Sequence, residues 1–182
     1  MTTIARRCCL MIMMLLPFGA DAREGAEAVD EGIFNYRELD GTLSTSGQVA
    51  DEQVALLTEG DYGLVVNLAV ADPERNANEG FLVTQAGIAY TQIPVIWDAP
   101  TLEDLALFFA VMDARGDRRT LVHCFANYRA SAFTYLYRTI RLGVPEAEAR
   151  ADMESIWSEE AWAEYPQWVA FIDEAKAHYG VE

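Results

Sequence analysis

The segment VHCFANYRAS, from Val122 to Ser131, places a thiol and a guanidinium at a predicted junction between a strand and a helix. A buried strand is predicted to end at Cys124, so the loop that follows and the helix N-terminus face one spot. The loop amides, the helix dipole and Arg129 there all favour an anion and the thiolate form of Cys124. Arg129 also has the two-pronged geometry that fits two oxygens of a phosphate or a similar oxyanion. The segment therefore predicts nucleophilic attack by Cys124 on an oxyanionic substrate.

The other two cysteines lie in an N-terminal segment that is typical of a secretory signal peptide. Residues 1–22 contain a short basic region, an apolar run of 13 residues and a small-x-small cleavage pattern at Ala20-Asp21-Ala22. A bilayer-spanning helix needs ~20 apolar residues, which favours cleavage over a membrane anchor. We predict a periplasmic or secreted protein that begins near Arg23, has no stable membrane insertion after cleavage and keeps Cys124 as its lone thiol.

Composition and charge narrow the classes of ligand. The net charge is −16 over 182 residues, and this acidity argues against binding to nucleic acid or to anionic lipid. Among the 13 basic residues only Lys176 is a lysine, so a specific anion site has to use arginine. No CxxC, HExxH or acidic calcium-loop spacing occurs, and we predict neither a metal site nor a cofactor.

Predicted strands and helices alternate along the chain. This alternation predicts one α/β domain over residues 33–182, with a central, mostly parallel sheet flanked by helices and a helical C-terminal section. The acidic segment 23–32 is predicted to be a flexible tail. Strands are predicted at 34–39, 42–46, 64–70, 88–95 and 120–123, and helices at 51–59, 79–86, from 101, 130–142 and 145–157.

His123-Cys124, followed by a loop, Arg129 and a helix, resembles the signature of the cysteine-dependent protein-tyrosine and dual-specificity phosphatases. It is also similar to bacterial phosphatase-like domains that are fused to some metallo-hydrolases. The resemblance extends roughly over residues 34–142 and includes three further stretches: 43–48, Asn67 and Ile93-Pro94-Val95.

The resemblance implies a dual-specificity-phosphatase-like fold and hydrolysis of a phosphate monoester through a cysteinyl-phosphate intermediate, without a metal or cofactor. Cys124 is then the nucleophile, Arg129 holds the oxyanion, and Asp98 in a WDAP loop protonates the leaving group. His123 supports the loop. The resemblance also implies that five residues bind the phosphorylated substrate: Phe125, Ala126, Asn127, Tyr128 and Ser131.

The loop departs from the family pattern, because four residues instead of five separate Cys124 from Arg129. It contains no glycine, and Asn127 is the member best able to take a left-handed conformation. The hydroxyl that usually follows the arginine is replaced by Ala130. Rhodanese sulfurtransferases resemble this loop length, so a persulfide-carrying sulfurtransferase stays open as an alternative. A phosphatase-like module that binds an oxyanion without turnover is a second alternative, whereas Asp98 and the wider chain pattern favour the phosphatase.

Overall fold

A five-stranded sheet forms the centre of the computed structural model, which describes residues 29–30 and 32–181. The strands are β1 (Arg37–Asp40), β2 (Leu43–Ser46), β3 (Leu64–Asn67), β4 (Ala89–Gln92) and β5 (Thr120–His123). Their order across the sheet is β1-β2-β5-β3-β4, with β1 antiparallel to β2 and the other neighbours parallel. The strand that leads to the cysteine is therefore central and buried, which confirms the predicted mostly parallel sheet.

Seven α-helices connect and cover these strands in the described part of the chain, together with a short 3₁₀ helix at Asp51–Gln53. None of them is long and apolar enough to cross a bilayer. The helices are α1 (Val54–Glu59), α2 (Glu79–Gln85), α3 (Leu102–Asp113), α4 (Tyr128–Ile140), α5 (Glu146–Glu154), α6 (Glu159–Glu164) and α7 (Pro166–Tyr179).

Alternation along the strands builds two cores, one on each face of the sheet. Leu121 belongs to the core formed with α1 and α2, whereas its neighbour Val122 belongs to the core formed with α3, α4, α5 and α7. Successive strand residues point to opposite faces, so a strand buried on both sides is apolar at consecutive positions. The single α/β domain with a helical C-terminal section is confirmed.

Part of the predicted flexible tail over residues 23–32 falls among the described residues. Val29 has no exposed surface and joins the core on the α1 and α2 face, where Ile33 and Leu57 are also buried. The burial of Val29 could not be predicted from the sequence, because its neighbours are acidic or small and a single buried residue makes no periodic pattern. The predicted signal peptide, residues 1–22, lies outside the described residues.

Glu146 ties the first turn of α5 to two neighbouring helices. Its carboxylate accepts hydrogen bonds from Arg150 Nη2 at 2.7 Å, from Lys176 Nζ of α7 at 2.9 Å and from the Tyr135 hydroxyl of α4 at 2.9 Å. These hydrogen bonds, that of Arg150 first, lower the pKa of Glu146 to about 2 from its usual 4.5. A carboxylate with a depressed pKa stabilises the fold only while it is ionised.

We therefore expect Glu146 to stabilise the protein fully above pH 4.5 and to lose that contribution as the pH falls toward 2. Thermal unfolding of the parent and of Glu146→Gln should show a difference in Tm that is largest at neutral pH and shrinks with acidification. Glu154→Gln is the matched control, because Glu154 lies on the same helix and, among the described residues, pairs with Arg150 alone, at 3.5 Å. A Tm difference that does not change with pH would contradict the assignment.

Candidate active site

A cavity of about 430 Å³ opens at the carboxyl edge of the sheet, where β3, β4 and β5 end. Ligands of open α/β sheets bind at this edge. Most of its walls are apolar, and its two chemically reactive groups are a thiol and a guanidinium. The lining residues are Val70, Ile96, Trp97, Cys124, Phe125, Ala126, Tyr128 and Arg129.

The loop after Cys124 presents free backbone donors beside the thiol. Its carbonyls are held from outside, since Gln48 N donates to Phe125 O at 3.2 Å and Asn35 Nδ2 donates to Ala126 O at 3.2 Å. The carbonyl and the N–H of one trans peptide unit point in opposite directions, so the Ala126 N–H points away from Gln48. Within the described residues, the N–H groups of Phe125 and Ala126 donate to no acceptor. Two amide donors of this loop are thus available to a ligand.

Asn127 turns the chain from the loop into α4. Its φ is +71°, in the left-handed region, which confirms the conformation predicted for it. Its side-chain Nδ2 donates to Asn35 O at 2.7 Å and to Thr45 Oγ1 at 3.0 Å, away from the cavity. This turn starts α4 at Tyr128, two residues before the predicted start at Ala130, and so places Arg129 in the first helical turn.

Two of the five predicted substrate-binding residues do not line the cavity. Phe125, Ala126 and Tyr128 form part of its wall, but Asn127 braces the loop and Ser131 bonds to its own helix. The Ser131 hydroxyl donates to Tyr128 O at 3.1 Å, as a serine in a first helical turn often does. The Asn127 side chain thus supports the loop, whereas the Ser131 side chain bonds within the first turn of α4.

Arg129 is a buried cation with an unused donor. Its side chain is 5% exposed, and Nη1 donates to Val95 O at 2.9 Å, in the segment that leads to Trp97. Its guanidinium carbon lies 5.2 Å from the ring centroid of Phe125 and 5.8 Å from that of Trp97. The buried Nε has no hydrogen-bond partner in the described part of the chain. Because buried polar groups are nearly always paired and Arg129 lines the cavity, this donor is available to a ligand there.

Asp98 lies next to the cavity rather than in its wall. The preceding Trp97 lines the cavity and is stacked on Trp157 at 6.1 Å, between centroids, with Tyr165 edge-on at 4.9 Å. The Asp98 residue itself is exposed. The C-terminal section of the chain therefore holds the WDAP loop by its tryptophan, while Asp98 is exposed to solvent.

A buried polar network that the sequence did not reveal lies behind the cysteine. His123 Nε2 is 2.6 Å from Glu79 Oε1, and both side chains are at most 1% exposed. The other carboxylate oxygen of Glu79 accepts from Asn67 Nδ2 at 2.9 Å and from Gln48 Nε2 at 3.1 Å. Burial and the Glu79 carboxylate raise the pKa of Tyr90, which accepts from the same amide of Asn67, to about 12.

This network joins His123, the predicted support of the loop, to residues from three other elements. Gln48 and Asn67 fell within the stretches that carried the family resemblance, which was the one available signal. Glu79 looked like an ordinary acidic residue at a helix start, where it complements the helix dipole. Its burial against His123 results from the fold, since α2 and β5 are far apart in sequence.

Comparison with known proteins establishes the class. The sequence matches no model of a known protein family and no curated protein. Among solved structures, the DUF442 phosphatase candidate from Shewanella putrefaciens CN-32 is 39% identical, with a TM-score of 0.74, and the match covers 84% of this chain and 97% of that one. The chain therefore belongs to the same family as this DUF442 phosphatase candidate, and the predicted resemblance to a phosphatase family is confirmed.

More distant structures share the fold. TpbA of P. aeruginosa, solved in complex with phosphotyrosine, is 19% identical with a TM-score of 0.62, and the match covers 81% of this chain and 91% of that one. The catalytic domain of the S. cerevisiae PP-IP phosphatase SIW14, solved with citrate, is 12% identical with a TM-score of 0.62, over 80% of this chain and 93% of that one. These two confirm the dual-specificity-phosphatase-like architecture.

Proposed function

We propose that this protein hydrolyses a phosphate monoester through a cysteinyl-phosphate intermediate. The observation that carries the proposal is the buried Nε of Arg129, which has no partner among the described residues and belongs to a cavity wall that also contains Cys124. The N–H groups of Phe125 and Ala126, which have no acceptor among the described residues, add two donors in the loop that follows Cys124. Preorganised donors of this kind stabilise the charge that develops on phosphoryl oxygens.

In the first step, the Cys124 thiolate attacks the phosphorus atom and forms an S–P bond. The P–O bond to the leaving group breaks, its electron pair stays on that oxygen, and the carboxylic acid of Asp98 supplies the proton. Arg129 and the loop amides hold the non-bridging oxygens throughout. The apolar walls, formed by Val70 and Ile96 among others, accommodate the organic part of the ester.

In the second step, water attacks the phosphorus atom of the thiophosphate and the S–P bond breaks. The Asp98 carboxylate takes the proton that the water loses, which regenerates the acid, and the electron pair returns to sulfur as the thiolate. Inorganic phosphate leaves through the open mouth of the cavity. Each side chain returns to its starting protonation state, so the cycle needs no co-reactant other than water.

The proton-donor role of Asp98 is tested by leaving groups of different basicity. Asp98→Asn should lower kcat for an alkyl phosphate by roughly 10²–10⁴-fold, the usual size of a lost general acid. The loss should be much smaller for p-nitrophenyl phosphate, because the weakly basic nitrophenolate leaves without a proton. Steady-state kinetics on both substrates measure the two losses, and Asp113→Asn, at the end of α3, serves as the matched control.

Equal retention of activity on both substrates would show that Asp98 is an ordinary loop residue.

The same assays separate the phosphatase from the two alternative functions. A sulfurtransferase would turn over thiosulfate and cyanide with little dependence on Asp98, because attack of cyanide on a persulfide needs no leaving-group acid. A binding module would retain phosphate without turning over either ester.

A further inference from the structure

Arg75 lies beside the active-site loop, although it is not one of the residues that line the cavity. It belongs to the loop between β3 and α2, and its guanidinium carbon lies 4.6 Å from the ring centroid of Phe125. The guanidinium carbon of Arg129 lies 5.2 Å from the centroid of the same ring. The two cations therefore share one phenyl ring, and this ring directly follows the nucleophile in the chain.

The guanidinium of Arg75 is available to a ligand. Every other arginine in the described part of the chain donates at least one side-chain hydrogen bond to the protein, whereas Arg75 donates none. Its one carboxylate neighbour there is Asp72, whose Oδ2 is 3.7 Å from the Arg75 Nε, too far for a hydrogen bond. The Arg75 side chain is 59% exposed, so its planar donors face solvent at the edge of the cavity.

The loop that carries Arg75 is held in one conformation by its own side chains. Asp72 Oδ1 accepts from the backbone N–H groups of Glu74 and Arg75, at 2.9 and 3.1 Å. The buried Asn76 accepts from Asp72 N at 2.8 Å and donates to Val70 O at 3.0 Å. Because Val70 lines the cavity, these bonds fix Arg75 relative to the cavity wall and reduce the entropy lost when it binds an anion.

We propose that Arg75 binds a second anionic group of the substrate, a carboxylate or a phosphate, while Arg129 binds the phosphate that is hydrolysed. The proposal rests on the proposed phosphatase function and specifies its substrate class as esters with two anionic groups. The two guanidinium carbons lie 4.6 and 5.2 Å from the Phe125 centroid and can be no farther apart than the sum of these distances. One aromatic ring with two anionic substituents can span that separation. Arg75 is thus a specificity-determining residue.

The test compares 4-carboxyphenyl phosphate with 4-carbamoylphenyl phosphate, which has the same shape but only one anionic group. In the parent protein, kcat/KM should be higher for the carboxylate. In Arg75→Gln the ratio of the two values should fall about fivefold, the size expected for an exposed ion pair. Any disturbance of the loop by loss of the Phe125 contact affects both substrates and cancels in the ratio. Arg118→Gln removes the same charge from the opposite edge of the sheet and should leave the ratio unchanged.

If the parent hydrolyses neither ester, the proposed hydrolysis is refuted but the role of Arg75 is not. Binding of the two esters to Cys124→Ser then tests the role of Arg75. Calorimetry should show the same preference for the carboxylate in Cys124→Ser and its loss in the double variant with Arg75→Gln. A ratio that Arg75→Gln does not change would overturn the role of Arg75. An equal fall in Arg118→Gln would overturn it as well, because general electrostatic attraction would then explain the preference. Failure of both compounds to bind would also overturn it.

Discussion

Cys124→Ser should abolish turnover of p-nitrophenyl phosphate, with a fall in kcat of roughly 10⁴-fold or more, the range found when a catalytic nucleophile is removed. Phosphate should still bind, because serine leaves the N–H groups of Phe125 and Ala126 and the guanidinium of Arg129 in place. Steady-state kinetics measure the first effect, and calorimetric titration with inorganic phosphate measures the second.

The variant should also fold normally, since serine replaces sulfur by oxygen at a position that is only 1% exposed and adjacent to the cavity. Alkylation of the parent by iodoacetamide provides an independent check, because phosphate or vanadate bound at the loop should protect the one described cysteine. Turnover that survives in Cys124→Ser would assign the chemistry to a different group.

Arg129→Lys should weaken both binding and catalysis, and the expected fall in kcat/KM is roughly 10²–10³-fold, as for other lost oxyanion donors. Arginine can bond to Val95 O through Nη1 and still offer other donors of the same plane to an anion. A lysine ammonium is a single point of charge, so it cannot hold the carbonyl and two phosphoryl oxygens in this geometry.

The measurements are kcat/KM on p-nitrophenyl phosphate and the inhibition constant of phosphate, which should rise together. Arg118→Lys is the matched control, because Arg118 is an exposed arginine whose Nη1 likewise donates to a backbone carbonyl, Arg115 O, at 2.9 Å. A phosphate inhibition constant that stays unchanged in Arg129→Lys would mean that Arg129 braces the WDAP loop without binding the substrate.

The sheet and most helices were predictable because their signals are local. β5 has the predicted bounds, Thr120–His123, since a short apolar run at the centre of a parallel sheet is bounded by polar residues. The start of α3 was predictable from Thr101, a residue type that caps helices, and its hydroxyl accepts from Asp104 N at 3.1 Å. The predicted start of α4 was two residues too late. The apolar residues of the helix indicated a start at Ala130, whereas the left-handed turn at Asn127 lets the helix begin at Tyr128.

The site residues that are close together in the sequence could be predicted. Those that only the fold brings together could not. Cys124 and Arg129 lie within one short segment, so the strand, loop and helix that position them could be predicted together. Glu79 lies in α2 and Arg75 in the loop before it. Their neighbours, His123 and Phe125, are 44 and 50 residues further along the chain. No local pattern separates them from solvated charges until the fold brings them to the cysteine.

Identification of the covalent intermediate tests the central claim most directly. The parent protein is mixed with excess p-nitrophenyl phosphate, quenched in denaturant within one turnover, digested and analysed by mass spectrometry. The account predicts one phosphoryl group on the peptide that contains Cys124, and its absence from Cys124→Ser under the same conditions. Turnover without this adduct, or a phosphoryl group on any other residue, would contradict nucleophilic catalysis by Cys124.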